Sequence, residues 1–157
     1  MLRRARCWVC GAVFEAERGS LPRGARFACA RCAEDDLGAP GVDRAHLSRA
    51  LTERYEVPFA DVREAEVDVD VLRLVAEDFS RLHALLPLLR EESRTKIGPE
   101  TLLVAIADPG NVFALEHVRR QTGLRVRTCV APWAELMEAI DELYLPLALA
   151  EDAPEGE

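Results

Sequence analysis

Apolar positions along residues 43–148 recur with two different periods. Asp43 has the chemistry of a helix N-cap, and Leu47, Ala50, Leu51 and Tyr55 follow it on one helical face. Val57-Pro58-Phe59-Ala60-Asp61-Val62 reads as extended, since Pro58 fixes its own φ and supplies no ladder donor. Asp68 or Asp70 then caps a helix whose stripe is Leu72, Val75, Phe79 and Leu82. Residues 84–91 read as a strand that Pro87 assigns to an edge or a bulge, and 93–100, with Gly98-Pro99, as a hairpin connection. Residues 101–107 are apolar almost throughout, the pattern of a central strand buried on both faces. Asp108-Pro109-Gly110-Asn111 opens a helix to about residue 122, capped by Asp108, with Val112, Phe113, Leu115 and Val118 inward and Gly123 as its C′ residue. Residues 124–130 alternate as a strand. Pro132 starts a last helix that buries Trp133, Leu136, Met137, Ile140, Leu143 and Tyr144. The order α-β-α-β-β-α-β-α predicts an α/β (α+β) fold, a mixed sheet with helices packed on it.

Residues 1–36 lack these periods and hold four of the five cysteines. Residues 37–42 have linker chemistry, and 149–157 form an acidic tail expected to be disordered. The charge divides in the same way. Residues 1–32 carry seven Arg against two Glu, a balance of +5, and the remainder stands at −13, giving −8 for the 157 residues. Two surfaces of opposite sign point to two modules, and the acidic one opposes a nucleic-acid backbone. Apolar residues make up 49% but aromatics only 6%, so the core is expected to rest on Leu, Val and Ala. No apolar run nears the roughly 20 residues of a membrane span, and the basic start runs directly into Cys7 without a signal-peptide stretch. A cytoplasmic protein without membrane insertion is expected, in a compartment that favours thiolate–metal chemistry over disulfides.

Cys7-Trp8-Val9-Cys10, eighteen residues, and Cys29-Ala30-Arg31-Cys32 form two C-x₂-C pairs, the spacing of a zinc site. Each pair offers two sulfurs along one tetrahedral edge, and four thiolates leave no open position, so the Zn²⁺ would be structural. A redox dithiol and a disulfide pair are the alternatives. Gly11 suits the positive φ such a knuckle often needs, whereas Ala33 after the second pair suggests a less relaxed turn. Val13-Phe14, Leu21-Pro22-Arg23-Gly24 and Phe27-Ala28 suggest a β-hairpin between the pairs, the build of a zinc ribbon. Cys129 lies in an apolar strand and reads as a buried small hydrophobe. His46, His83 and His117 have no partner at metal spacing, and Glu64, Glu66, Asp68 and Asp70 read as a solvated edge. Trp8 is either a partner anchor or packing between the modules. With no nucleophile–base pair and no open metal site, the chain is not expected to be an enzyme.

Residues 7–32 resemble the short zinc ribbons that open many bacterial regulatory proteins, through Cys10-Gly11…Phe14, Leu21-Pro22-Arg23-Gly24 and the second pair. Residues 47–145 resemble the N-terminal domain of type II secretion and type IV pilus assembly ATPases. Leu47-Ser48-Arg49-Ala50-Leu51, Leu85-Leu86-Pro87-Leu88, Val104-Ala105-Ile106-Ala107-Asp108-Pro109, Gly123-Leu124 and Ala131-Pro132 carry that likeness, in order. The chain has no G-x-x-x-x-G-K-[ST] phosphate loop. Some members bind cyclic di-GMP through a tandem Leu/Gly/Gln motif. Here a remnant remains at Gly41-Val42 and residues 47–54, with Arg54 where the motif implies Gln, so cyclic di-GMP binding is not expected. The resemblance implies a non-enzymatic adaptor or docking protein with secretion or pilus partners. Nucleic-acid binding through the Arg-rich segment is the alternative, as is a cyclic di-GMP sensor. Leu145-Pro146-Leu147 would support a homodimer. On a two-module reading, Cys29→Ser would unfold 1–36 and leave 43–148 folded.

Overall fold

A computed structural model describes residues 2–17, 27–35, 37, 43–92 and 100–152. Along the chain its elements are β1 (Leu2–Arg6), β2 (Val13–Glu17), α1 (Ala30–Glu34), α2 (Arg44–Tyr55), α3 (Val69–Leu72), α4 (Glu77–His83), β3 (Leu85–Glu91), β4 (Thr101–Ile106), α5 (Val112–Thr122), β5 (Arg125–Val130) and α6 (Trp133–Asp152). β4 is the middle of a three-stranded mixed sheet, antiparallel to β3 and parallel to β5. Its unbroken apolar run has the expected cause, because both faces are covered. Ala105, with Leu86, Leu88 and Cys129 of the flanking strands, meets Leu136, Ile140 and Tyr144 of α6. Leu102, Val104 and Ile106, with Leu85, meet Ala114 and Val118 of α5 and Val71 and Val75 below. Each such large apolar side chain, fully buried, contributes about 1.5–3 kcal/mol.

Pro87 behaves as its chemistry requires. β3 is an edge strand, and its register with β4 shifts between Pro87 and Leu89, a bulge where no ladder donor is needed. Residues 57–62 contribute one parallel bridge, Phe59 to Val130, in which the Val130 N–H donates to Pro58 O at 2.8 Å. Asp43 caps α2 by accepting from the Ala45 N–H, and Gly123 ends α5 in the left-handed region at φ 72°.

Three helical expectations need correction. The stripe from Leu72 to Leu82 is two short helices, α3 capped by Asp68 and α4 entered through an extended Ala76, and the break turns Leu82 out to 77% exposure. In α5 the cap is Asn111, whose side chain accepts from the Ala114 N–H; Asp108 instead accepts from the Gly110 N–H in the preceding turn. Ala114 and Val118 are buried and Leu115 packs on the same core, while Val112 and Phe113 in the first turn are exposed. α6 runs to Asp152, through residues placed in a tail, and residues 153–157 lie outside the described residues. Pro146 sits within α6, Leu145 is exposed, and Leu147 packs on the core. Among the described residues no helix is long and apolar enough to cross a membrane.

The α3–α4 break has a visible anchor. The buried Tyr144 hydroxyl reaches the carbonyls of Leu72 (3.2 Å) and Val75 (3.1 Å) and lies 3.2 Å from Ser80 Oγ. One phenolic proton thus serves two carbonyls at the end of α3, and burial raises the Tyr144 pKa, which keeps it protonated as a donor. Tyr144→Phe is expected to lower unfolding free energy by about 1–3 kcal/mol, measured by urea denaturation, with the native circular dichroism spectrum retained.

Candidate metal centre

The first cysteine pair is held in the loop of an antiparallel ribbon. β1 and β2 pair from Leu2 with Glu17 to Arg6 with Val13, and residues 7–12 form the knuckle between them. The Cys7 N–H donates to Ala12 O (2.8 Å) and the Gly11 N–H to Cys7 O (3.0 Å), closing the turn. Gly11 has φ 79°, as expected for this position. The hairpin is therefore built around the first pair. The one expected between the pairs has its turn at 21–24, outside the described residues. The second pair uses a helix. Cys29 is the N-cap residue of α1, Cys32 lies within it, and the Ala33 N–H donates to Cys29 O at 2.9 Å. Ala33 is thus helical, and the less relaxed turn expected there does not arise.

These two constructions bring one sulfur from each of Cys7, Cys10, Cys29 and Cys32 within 4.8 Å of one another. The Cys10 and Cys29 sulfurs are 3.7 Å apart. A tetrahedron with metal–sulfur bonds of about 2.3 Å has edges of about 3.8 Å, so the donor set fits a zinc ion in spacing and in chemistry. All five cysteines are free thiols. Cys7 and Cys32 are fully buried. Hydrogen bonds from Cys10 and Cys32 hold the Cys7 thiol far below its ordinary pKa, while Cys10, Cys7 and burial push the Cys32 thiol far above its own. Four thiolates this close would repel, and a divalent cation among them would let all four ionise.

The knuckle is also a structural cap. The Trp133 N–H donates to Val9 O (2.7 Å) and the Ala134 N–H to Trp8 O (2.9 Å). The first turn of α6 thereby satisfies two of the amides a helix start leaves without intrahelical partners. Cys7, Trp8, Val9, Cys32 and Leu37 share one core cluster with Leu47 and Leu51 of α2 and Val130 of β5. Trp8 is 5% exposed and its indole N–H donates to Leu37 O at 2.9 Å, which decides for packing over a partner anchor. Leu37, placed in the linker by its sequence context, is part of this core; 38–42 lie outside the described residues. The tight seam explains Gly11 a second time, since a Cβ there would stand 2.4 Å from Trp133 Cδ1. Arg6 covers the same indole, its guanidinium carbon 5.1 Å from the ring centroid. The cluster and α6 thus share contacts across residue 36.

Two charged residues near this seam escaped the sequence reading. Glu135, 3% exposed in the first turn of α6, takes a two-pronged ion pair from Arg44 at 2.8 and 2.9 Å. Arg54, read only as a departure from a motif, points its guanidinium at Cys32 Sγ, 3.3 Å away. Both pairings span long sequence separations, and no local pattern announces them. The remaining candidates fall where their bland readings put them. Cys129 is outside the cluster, with its Sγ 3.4 Å from Val104 O, and burial pushes its pKa up to about 11. His46 hydrogen-bonds Asp35 O, His83 lies 3.2 Å from Asn111 Nδ2, and His117 stacks on Phe79. A polar groove of about 700 Å³ between α1 and α2 is lined by Arg31, His46, Arg49 and Arg54 together with Glu34, Asp35 and Glu53. A more apolar one of about 540 Å³ runs along Val112, Phe113 and His117 of α5.

Comparison with known proteins places the larger part of the chain. The family model described as the MshEN domain matches residues 55–148. The type IV pilus assembly ATPase PilB of Myxococcus xanthus (strain DK1622) is 30% identical over 103 residues, which is 66% of this chain and 17% of that relative. The chain thus spans about a sixth of PilB's length. A solved structure of MshE with cdg is 26% identical, with a TM-score of 0.51 over 66% of this chain and 70% of that one. The N-terminal domain of XpsE is 22% identical, with a TM-score of 0.48 over 71% of each.

Gly11→Ala is expected to cost at least about 2 kcal/mol, from left-handed backbone and overpacking together, read as a lowered denaturation midpoint. In native-state alkylation followed by mass spectrometry at neutral pH, Cys129 is expected to stay unmodified until the protein unfolds, since its raised pKa leaves almost no thiolate.

Proposed function

The chain belongs to the MshEN domain family, and on that premise we propose that it is a zinc-binding, non-enzymatic docking adaptor of a secretion or pilus assembly. The observation that carries this reading is the four-sulfur cluster built into the cap of α6 in an MshEN fold. A zinc ion held by Cys7, Cys10, Cys29 and Cys32 has no open coordination position, so its contribution is to folding and shape. The family match is to the MshEN domain, and the likeness to PilB spans about a sixth of that ATPase, which supports docking over a motor role. Leu82, Val112 and Phe113 are exposed on α4 and α5, an apolar surface of the kind that partners cover. A cytoplasmic setting suits the free thiols.

Cyclic di-GMP sensing is a second reading, favoured by the likeness to the MshE structure with cdg and by the groove on α2. Against it, the Arg54 guanidinium in the groove wall is already engaged by Cys32 and Asp35. Heat on titrating the full chain with cyclic di-GMP would establish that reading, and none at high micromolar concentration would remove it.

The adaptor reading predicts one zinc per chain by elemental mass spectrometry. It also predicts that capture from nuclease-treated lysate of its own cells retains secretion or pilus components. Absence of zinc, or retention only of nucleic-acid-associated proteins that nuclease releases, would contradict it. The second outcome would move the weight to Arg3 and Arg4, exposed on β1.

A further inference from the structure

Arg54 lies in the last turn of α2, where a basic residue ordinarily serves the helix dipole from solvent. Its side chain is only 7% exposed, so that role does not explain where it is. One guanidinium nitrogen, Nη1, donates to Cys32 Sγ at 3.3 Å; the other, Nη2, pairs with the Asp35 carboxylate just past α1. The Tyr55 ring flanks it, its centroid 5.8 Å from the guanidinium carbon. Cys32 is completely buried.

Four thiolates around a divalent cation leave a net charge of about −2, and burying it without a counter-charge is costly. Among the described residues Arg54 is the cation seen to reach a cluster sulfur. Its planar fork suits the task, since one arm can meet the sulfur while the other is held by Asp35. We propose that Arg54 is the outer-sphere partner of the metal centre, a positioning residue that neutralises Cys32 and thereby sets how tightly the centre holds its metal. Asp35 orients Arg54, and the pair fastens α1 to α2 across the cluster. This inference rests on the zinc reading.

The test uses the purified full chain as wild type, Arg54→Gln, Arg54→Lys and Asp35→Asn. Zinc affinity is measured by competition with a chromophoric chelator, and the sulfur-to-metal charge-transfer band is recorded with Co²⁺ in place of zinc. Arg54→Gln is expected to weaken zinc binding about 10–100-fold and to shift the Co²⁺ band, because an unneutralised Cys32 donates more charge. Arg54→Lys is expected to recover part of both effects, and Asp35→Asn to weaken binding by less than Arg54→Gln. Affinity and band unchanged in Arg54→Gln would overturn the proposal. If that variant does not fold, unchanged values in both Arg54→Lys and Asp35→Asn would overturn it equally. A wild-type chain that binds no zinc overturns the zinc reading and this proposal together. Tight zinc binding by wild type and Arg54→Gln alike overturns this one alone.

Discussion

Two peptide hydrogen bonds join the cysteine cluster to the rest of the molecule, from Trp133 and Ala134 to the carbonyls of Val9 and Trp8. A helix start has amides that need acceptors, and a knuckle of fixed shape has carbonyls that need donors. Here each meets the other's need. α6 then extends from that seam across one face of the sheet, presenting Leu136, Ile140 and Tyr144 to β3, β4 and β5. Arg44 and Glu135 brace the same first turn from α2, and Tyr144 fastens the middle of the helix to the α3–α4 break. The direction of α6 is therefore set at the knuckle, and whatever holds the knuckle in shape acts on the sheet domain as well.

The charge asymmetry along the chain takes on a local meaning in this light. The Arg-rich opening looks like a surface for an acidic or nucleic-acid partner, yet two of its arginines, both exposed, make contacts with the fold. Arg6 lies over Trp133 and donates to Gly11 O, and Arg31 lies over the Tyr55 ring. Arg54, from the acidic part of the chain, turns back to Cys32. The cation that reaches a cluster sulfur therefore comes from the acidic part of the chain, while Arg6 and Arg31 of the basic segment lie over aromatic rings.

Much of the fold was legible because its signals are local. β4 is a run of apolar residues with turn chemistry on both sides, Pro87 can only sit where no donor is needed, and Asp43 and Gly123 are the residue types that helix ends require. The cysteine set was legible for the same reason, since C-x₂-C is a local geometric unit. Helix phase was harder to read. Asp108 and Asn111 are both competent caps three residues apart, and the apolar Val112 and Phe113 fall in the first turn of α5, which the sheet does not cover. The α3–α4 break depends on the Tyr144 hydroxyl from far along the chain, which no periodicity contains. The seam was hidden for a similar reason: it is made of backbone carbonyls, which leave no signal in the side-chain pattern.

The dependence of α6 on the knuckle can be measured at the two amides that define it. Hydrogen exchange of Trp133 and Ala134 should be followed in the zinc-loaded chain and after metal removal by a strong chelator. A metal-held knuckle predicts strong protection when loaded and its loss, spreading into α6, when the metal is withdrawn. Equal protection in both states would show that the knuckle keeps its shape without metal and would contradict the account.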